Sequence, residues 1–318
     1  MPEGANTPCP VCGGTDTAPA CVRRGRVPPQ RDFTILHCRA CRFSFIPDYR
    51  ADFADVYGED YYRGRGADPL VNYAFDHERP EMTVRAFEWE GLVRIFRALV
   101  GGGRPGARWL DYGCGLGSLV RYGRGLGIDV YGYEPYGRGG DGEGLASRVL
   151  RSEGELRRAG PFDFVTAIEV IEHSPDPVAL LRSVRSLVKP GGVLFLTTGN
   201  AEPWRGRLGR WSYTGAPDVH MSFFEPGTLA LALEKSGFAP EVKGYLPGFT
   251  DVIKYKILKN LGIRERSRLI SLVPWPIVSR IADLRYRVTD MPLGVAAYLP
   301  AGPGAPALRE GGPGGNPR

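Results

Sequence analysis

Ten residues constrain this chain more than any others: the run from Trp109 to Ser118, Trp-Leu-Asp-Tyr-Gly-Cys-Gly-Leu-Gly-Ser. An apolar, strand-like stretch leads straight into Gly113, Gly115 and Gly117, spaced G-x-G-x-G, and then into a helix-like one. Glycines belong there because a side chain would hold the backbone away from a ligand lying at the strand's C-terminal end. The next strand-like stretch, Val130–Tyr133, ends about twenty residues on at Glu134. A carboxylate there can accept hydrogen bonds from both ribose hydroxyls of an adenosine group.

Glycine spacing alone also suits a nicotinamide or flavin dinucleotide, and two details separate the possibilities. Asp111 stands two residues before the first glycine. A dinucleotide would bring a pyrophosphate to this loop, and a nearby carboxylate repels it, whereas S-adenosylmethionine brings a sulfonium and an ammonium, beside which an acid is tolerated or favoured. The spacing is the second detail. Leu119 and Val120 follow the loop, and the dinucleotide pattern's glycine three residues after the second is missing. Both point to S-adenosylmethionine.

From Arg108 to Gly199 strand-like and helix-like runs alternate, which argues for a mostly parallel, doubly wound α/β sheet covered on both faces. Strands are expected at Arg108–Tyr112, Val130–Tyr133, Phe162–Glu169 and Val193–Thr198, with a turn at Lys189-Pro-Gly-Gly192. Helices are expected at Leu116–Leu126, Pro177–Val188 and Thr228–Ser236, the last ending at Gly237. Val242–Tyr245 and Leu293–Leu299 read as antiparallel strands closing the sheet. Phe87, Leu92, Ile95, Phe96 and Leu99 recur at helical spacing in a segment that Gly101–Gly103 stops. Four segments result: a four-cysteine module at 1–58, a helical linker or cap at 59–104, the donor-binding domain at 105–300, and a Gly/Pro/Ala-rich tail at 301–318 expected to be disordered.

With these motifs in order, the sequence resembles the class I (Rossmann-like) S-adenosylmethionine-dependent methyltransferases, whose first motif is an acid followed by G-x-G-x-G. Phe162–His173 looks like that family's fourth strand and the turn after it, and Leu187–Leu196 like its helix-turn-fifth-strand segment. The resemblance covers roughly 106–245. It implies that Asp111, Gly113, Cys114, Gly115, Gly117 and Glu134 form the donor site, with Cys114 a small filler rather than a nucleophile. It also implies that the turn bearing Glu169, Glu172 and His173 lies beside the donor's methionine part. A polar residue before the fourth strand often reaches the adenine; Ser152, Glu153 and Glu155 all qualify, and Glu153 is favoured.

Cys9-Pro-Val-Cys12 and Cys38-Arg-Ala-Cys41 are two C-x-x-C pairs. Each pair places two thiolates on one ion from a tight turn, so together they make an all-thiolate, tetrahedral zinc site with no open position, hence structural. Cys21 is out of register with both. With Phe43-Ser-Phe-Ile-Pro47 and Tyr57-Gly-Glu-Asp-Tyr-Tyr62 following, this end resembles bacterial methyltransferases bearing an N-terminal zinc ribbon, found among sugar and secondary-metabolite enzymes. The acceptor implied is a saccharide, nucleotide-sugar or other small metabolite.

The acceptor should sit beyond the carboxyl ends of the strands. The stretch after Val193–Thr198 holds Trp204, Trp211, Tyr213, Asp218 and His220, a density of aromatic and titratable groups suited to a binding wall. His220, which matches a histidine common at this place in the resembled subgroup, either serves as general base or packs the following helix, with His173 and Tyr213 as competing bases. Tyr57, Tyr61 and Tyr62 either reach over the pocket or, as the favoured reading, pack as a linker on the sheet.

The chain has 318 residues, 42% of them hydrophobic, enough for one full-sized core and a small module. Its net charge of +6 is mild and does not indicate nucleic acid. Segment 254–287, within a basic amphipathic insertion at 250–288, holds nine basic residues against two acidic ones. It is read as a solvated lid, a clamp for an anionic acceptor, or a peripheral membrane contact. No secretory signal or membrane-spanning run is recognisable, which leads to a cytoplasmic expectation. Modification of RNA or protein, and a nonenzymatic binding module, stand as alternatives; oligomeric state is left open.

Overall fold

The computed structural model describes residues 7–47, 49, 56–69, 71–100, 105–137, 145–243 and 293–298. The chain begins with β1 (Thr17–Arg24), β2 (Asp32–Cys38) and β3 (Ser44–Phe45), followed by helices α1 (Glu59–Tyr62), α2 (Tyr73–Glu78) and α3 (Arg85–Leu99). Strands and helices then alternate: β4 (Arg108–Tyr112), α4 (Ser118–Gly125), β5 (Asp129–Tyr133), β6 (Val149–Leu150), α5 (Glu153–Ala159), β7 (Phe162–Ile168), α6 (Pro177–Arg185) and β8 (Val188–Thr198). After three short 3-10 turns come β9 (Ser222–Phe223), α7 (Pro226–Lys235), β10 (Ala239–Lys243) and β11 (Leu293–Tyr298).

Seven strands form one sheet in the order β10-β11-β8-β7-β4-β5-β6. The run from β8 to β6 is parallel, and β11 is inserted antiparallel between β8 and β10. The chain steps outward from β4 through β5 to β6, then returns to the other side of β4 as β7. That reversal opens a crevice at the carboxyl ends of β4 and β7, which is where such sheets bind ligands.

Period-two alternation along the strands loads both faces of the sheet. Trp109, Phe164 and Phe195 point to one side, where Leu92, Val93 and Phe96 of α3 and Leu119 and Val120 of α4 cover them. Leu110, Val165 and Leu194 point to the other, under Leu181 and Val184 of α6 and Leu229 and Leu233 of α7. This doubly wound, mostly parallel α/β architecture is the one expected from the sequence.

The N-terminal strands form a second, four-stranded antiparallel sheet in the order β1-β2-β3-β9. Its last strand comes from residues 222–223, far along the chain. The core on the α6/α7 face continues into this module through Leu36, Phe43, Phe45 and Phe224, the rings of Phe43 and Phe224 lying 5.0 Å apart.

Local differences from the sequence reading have simple causes. Helix α4 starts at Ser118 rather than Leu116, because Gly117 adopts a left-handed conformation (φ +75) as its cap. Helix α6 ends at Arg185 rather than Val188, since β8 starts at Val188 and absorbs the Lys189–Gly192 turn as an irregularity in its pairing with β7. Helix α7 starts two residues early, using Pro226 in its first turn. The basic segment 254–287, the tail 301–318, Gly101–Gly103 and residues 244–245 lie outside the described residues. Among the described residues, no helix is long and apolar enough to cross a membrane.

Candidate active site

A cavity of about 390 Å³ occupies the crevice at the switch point, within the size range of small-molecule sites. Its floor is the glycine loop. Gly113 has φ +78, and a Cβ there would come within 2.6 Å of Val170 Cγ2, so the tight approach of β4 to the turn after β7 admits no side chain. The amides of Gly113 and Cys114 donate to the carbonyl of Tyr133 at 2.8 and 3.1 Å, tying the loop to the end of β5. Cys114 is buried with its sulfur facing Gly132, a packing position in which burial raises the thiol well above its ordinary range.

Two acids stand at this floor. Asp111 is 6% exposed and accepts the Thr166 hydroxyl at 2.9 Å. Burial pushes its pKa up to about 7; the Thr166 bond opposes the shift and the charge of Glu134 adds to it. Glu134 accepts the amide of Gly115 at 3.0 Å through one oxygen, and those of Tyr136 and Gly137 at 3.3 and 3.2 Å through the other. Burial raises its pKa while these three amides pull it back. A carboxylate has about four lone-pair sites, so Glu134 keeps room for one further donor.

Tyrosines form the roof, contrary to the favoured sequence reading of a linker packed on the sheet. Tyr57, Tyr61 and Tyr62 border the cavity together with Tyr73. Tyr61 stacks on Tyr73 at 5.5 Å and meets Tyr62 edge-on at 5.4 Å, and the Tyr62 ring lies over Gly115, 3.8 Å from where a Cβ would stand. Gly115 carries no side chain, and the Tyr62 ring occupies the space this leaves. Four tyrosines between residues 57 and 73 were the available signal.

The far end holds a polar cluster. Glu169 sits just past β7 with φ +54, a left-handed conformation that costs a non-glycine residue about 1 kcal/mol or more. Its carboxylate accepts the Thr197 hydroxyl at 3.0 Å and lies 2.9 Å from the Tyr213 hydroxyl. Glu172 is fully buried, 2.6 Å from the same Tyr213 hydroxyl and 2.9 Å from that of Thr198. Burial and then the charge of Glu169 raise its pKa well above the carboxylate range, while the hydroxyls of Tyr213 and Thr198 that donate to it pull it back. His173 places Nδ1 2.9 Å from the Tyr57 hydroxyl, and burial with the neighbouring His220 depresses its pKa strongly. Nδ1 of His220 lies 2.9 Å from the carbonyl of Tyr213.

The structure thus brings His173, Tyr213 and His220 together, the His173 and His220 rings being 5.0 Å apart and those of His220 and Tyr213 stacked at 4.2 Å. Only His173 of the three borders the cavity; His220, 3% exposed, stands behind it with Tyr213. Ser152 and Glu155 are engaged in a capping box at the start of α5, while Glu153 lies at the cavity rim, largely exposed and 2.5 Å from Arg157.

Two groups of side chains have the composition of metal sites. The sulfurs of Cys9, Cys12, Cys38 and Cys41 all lie within 4.8 Å of one another, Cys9 and Cys41 at 3.6 Å and Cys12 and Cys38 at 3.5 Å. A tetrahedron with Zn–S bonds of about 2.3 Å needs sulfurs about 3.8 Å apart, so the set fits zinc. Both knuckles are left-handed just past a cysteine pair, at Gly13 (φ +79) and Arg42 (φ 67). Cys21 is remote from them, in β1 against Gly209. Glu172, His173 and His220 form the second group, with ligand atoms within 4.8 Å.

A sequence family described as a methyltransferase domain matches residues 75–241. The ubiquinone biosynthesis O-methyltransferase of Xanthomonas campestris pv. campestris (strain B100) is 35% identical over 144 residues, 42% of this chain and 59% of that protein. Its namesake from Xanthomonas axonopodis pv. citri (strain 306) is 35% identical over 198 residues, 56% of this chain and 80% of that one. The chain therefore spans 59% of the length of the Xanthomonas campestris relative. Among solved structures, Haemonchus contortus phosphoethanolamine N-methyltransferase 2, in complex with phosphomonomethylethanolamine and S-adenosylhomocysteine, superposes with a TM-score of 0.49 at 17% identity, covering 81% of this chain and 62% of that one.

Proposed function

The chain belongs to the methyltransferase-domain family, and on that footing we propose that it transfers the methyl group of S-adenosylmethionine to a hydroxyl of a small ring-bearing acceptor, a saccharide or hydroxylated secondary metabolite. The carrying observation is the cavity itself, lined by a glycine loop, two acids and the His173–Tyr57 pair. Oxygen is favoured as the acceptor atom because the Xanthomonas relatives are named O-methyltransferases.

S-adenosylmethionine, when bound, supplies a methyl group on a positively charged sulfur. Asp111, Glu134 and Glu169 border the cavity and are of the right sign for such a cation. Glu134, with room for one further donor, would take a ribose hydroxyl. Burial disfavours the charged form of His173, whose Nδ1 meets the Tyr57 hydroxyl, and the neutral ring would take the acceptor's proton. The remaining contribution is positioning and exclusion of water by the tyrosine roof. Among the described cavity residues the cation is Arg85, held by Asp76 at 2.9 Å and Glu88 at 2.6 Å, so this wall favours a neutral acceptor. An anionic one would draw on segment 254–287, outside the described residues.

The test is incubation of the purified chain with methyl-labelled donor and panels of saccharides, nucleotide-sugars and hydroxylated aromatics. Label recovered in an ether supports the proposal. Donor binding without transfer to any panel or to cell extract would make the chain a binding module, and label recovered in RNA or protein would make it a macromolecule modifier.

A second reading of the far end rests on His220. Its Nδ1 faces a carbonyl, which can only accept, so the proton is fixed there and Nε2 keeps its lone pair for a ligand. Glu172, His173 and His220 would then hold a divalent cation, whose chemistry would be to acidify the acceptor hydroxyl. Transfer lost on chelation and restored by magnesium or manganese favours this reading; transfer unaffected by chelation favours His173 as base. We also infer that the four-cysteine site holds structural zinc.

A further inference from the structure

The segment bearing Tyr213 and His220 has little regular structure of its own: three 3-10 turns and the two residues of β9. Its shape comes from the N-terminal module. Arg23 of β1 donates from Nε to the carbonyl of Thr214 at 3.1 Å and from its terminal nitrogen to that of Gly209 at 2.8 Å. The amide of Arg26 reaches the Asp218 carboxylate at 2.6 Å, and the Tyr49 hydroxyl donates to the Asp218 carbonyl. The amide of Ile46 donates to the carbonyl of Met221, whose own amide donates to the carbonyl of Glu172, both at 2.9 Å. Main-chain groups on both sides of Tyr213 and His220 are thus held by residues 23–49.

We propose that the N-terminal module is a built-in brace behind the acceptor end of the active site, with Arg23 as the positioning residue that sets Tyr213, and through Tyr213 the imidazole of His220. Arg23 touches neither the cavity nor the reacting groups. Its two bonds flank Tyr213, whose carbonyl holds His220 Nδ1 and whose ring stacks on that imidazole. The donor end is built differently: Gly113, Gly115 and Glu134 are held by one another, by Tyr133 and by the loop at residues 136–137. Disturbing Arg23 therefore uncouples the two ends, spoiling the histidine geometry while donor binding persists. The functional consequence rests on the acceptor-end reading above, but the coupling itself does not.

The chain has four histidines, which makes imidazole nitrogen NMR of the full-length protein a direct probe. His77 serves as control, its Nδ1 lying 2.6 Å from Ser118 Oγ at the donor end. In Arg23→Met the His220 and His173 resonances should move while His77 stays, and S-adenosylhomocysteine affinity by calorimetry should stay within about twofold of wild type. Arg23→Lys should restore the resonances in part, and Tyr49→Phe, a milder change on the same segment, should move His220 in the same way. Unmoved His220 and His173 signals in both Arg23→Met and Tyr49→Phe would overturn the proposal. So would a joint shift of all four imidazoles with loss of S-adenosylhomocysteine binding, which would mark general loosening. If the signals move as expected but acceptors found by the labelled-donor screen are methylated at the wild-type rate, the acceptor-end reading fails and the coupling stands.

Discussion

The hydroxyl of Tyr57 lies 2.9 Å from Nδ1 of His173, so a residue ahead of the sheet supplies the partner of a ring in the turn after β7. Tyr57→Phe removes that partner and leaves a buried imidazole nitrogen unsatisfied. Stability should fall by about 1–2 kcal/mol, as read by denaturant unfolding. Methyl transfer to any acceptor found by the labelled-donor screen should fall about tenfold or more, through lost alignment of His173. Unchanged turnover would remove Tyr57 from the mechanism.

Glu134 joins the donor pocket to its own loop, since the same carboxylate that would meet a ribose also gathers three amides. Glu134→Ala should weaken S-adenosylhomocysteine binding by about 1.5–3 kcal/mol, the scale of hydrogen bonds to a charged group. Isothermal titration calorimetry checks this, and retained affinity would count against the ribose role.

Asp111 gives the site a pH dependence. Its folded pKa of about 7 exceeds the ordinary value of 3.8, so the folded chain holds a proton that the unfolded chain releases. In the ligand-free protein, that stabilising contribution is full below the unfolded value and is lost as pH rises through about 7. Cation binding has the opposite sign, because it needs the ionised form. S-adenosylmethionine affinity should therefore rise about tenfold between roughly pH 6 and pH 8 and then level off. Asp111→Asn should lack this component; comparing the two proteins at each pH cancels the ligand's own titration. Parallel pH profiles would show that Asp111 does not face the donor.

The four-cysteine site carries a compositional prediction. The short Cys9–Cys41 approach lowers the pKa of Cys9 and raises that of Cys41, so one of the pair is readily ionised for a metal. Zinc analysis of the purified chain should give about one equivalent, released by a thiol-modifying reagent but retained through gel filtration. Cys38→Ser should lower both zinc content and melting temperature. A metal-free chain with unchanged melting temperature would leave the quartet without a structural ion.

Much of this was legible because the strongest signals are local. Asp111, the glycines and Glu134 lie within one strand–loop–helix–strand unit, where spacing dictates geometry, and the cysteine pairs likewise announce themselves by C-x-x-C. Contacts between distant segments were not legible. Nothing in the order of residues says that Tyr62 lies over Gly115, that Ser222 and Phe223 complete the sheet begun by β1, or that His220 stands behind His173 instead of bordering the cavity. Helix ends shifted where a cap decides, as at Gly117, because a left-handed glycine can end a loop or start a helix with equal ease.

Gly113 offers a test of the loop that does not depend on any ligand. Gly113 and Gly106 share φ +78, but a Cβ at Gly106 meets nothing within 4 Å, whereas one at Gly113 comes within 2.6 Å of Val170 Cγ2. Gly106→Ala should therefore cost only the backbone strain, about 1–2 kcal/mol. Gly113→Ala should add about 1–3 kcal/mol of overpacking. Val170→Ala removes the opposing methyl groups, so in the double variant Gly113→Ala/Val170→Ala the steric part should be relieved while the strain remains. Urea unfolding of the four variants and wild type gives the coupling energy directly. Additive costs at Gly113 and Val170 would mean that the close approach of β4 to the turn after β7 does not determine the residue at this position, leaving the left-handed backbone and ligand access as the reasons for a glycine.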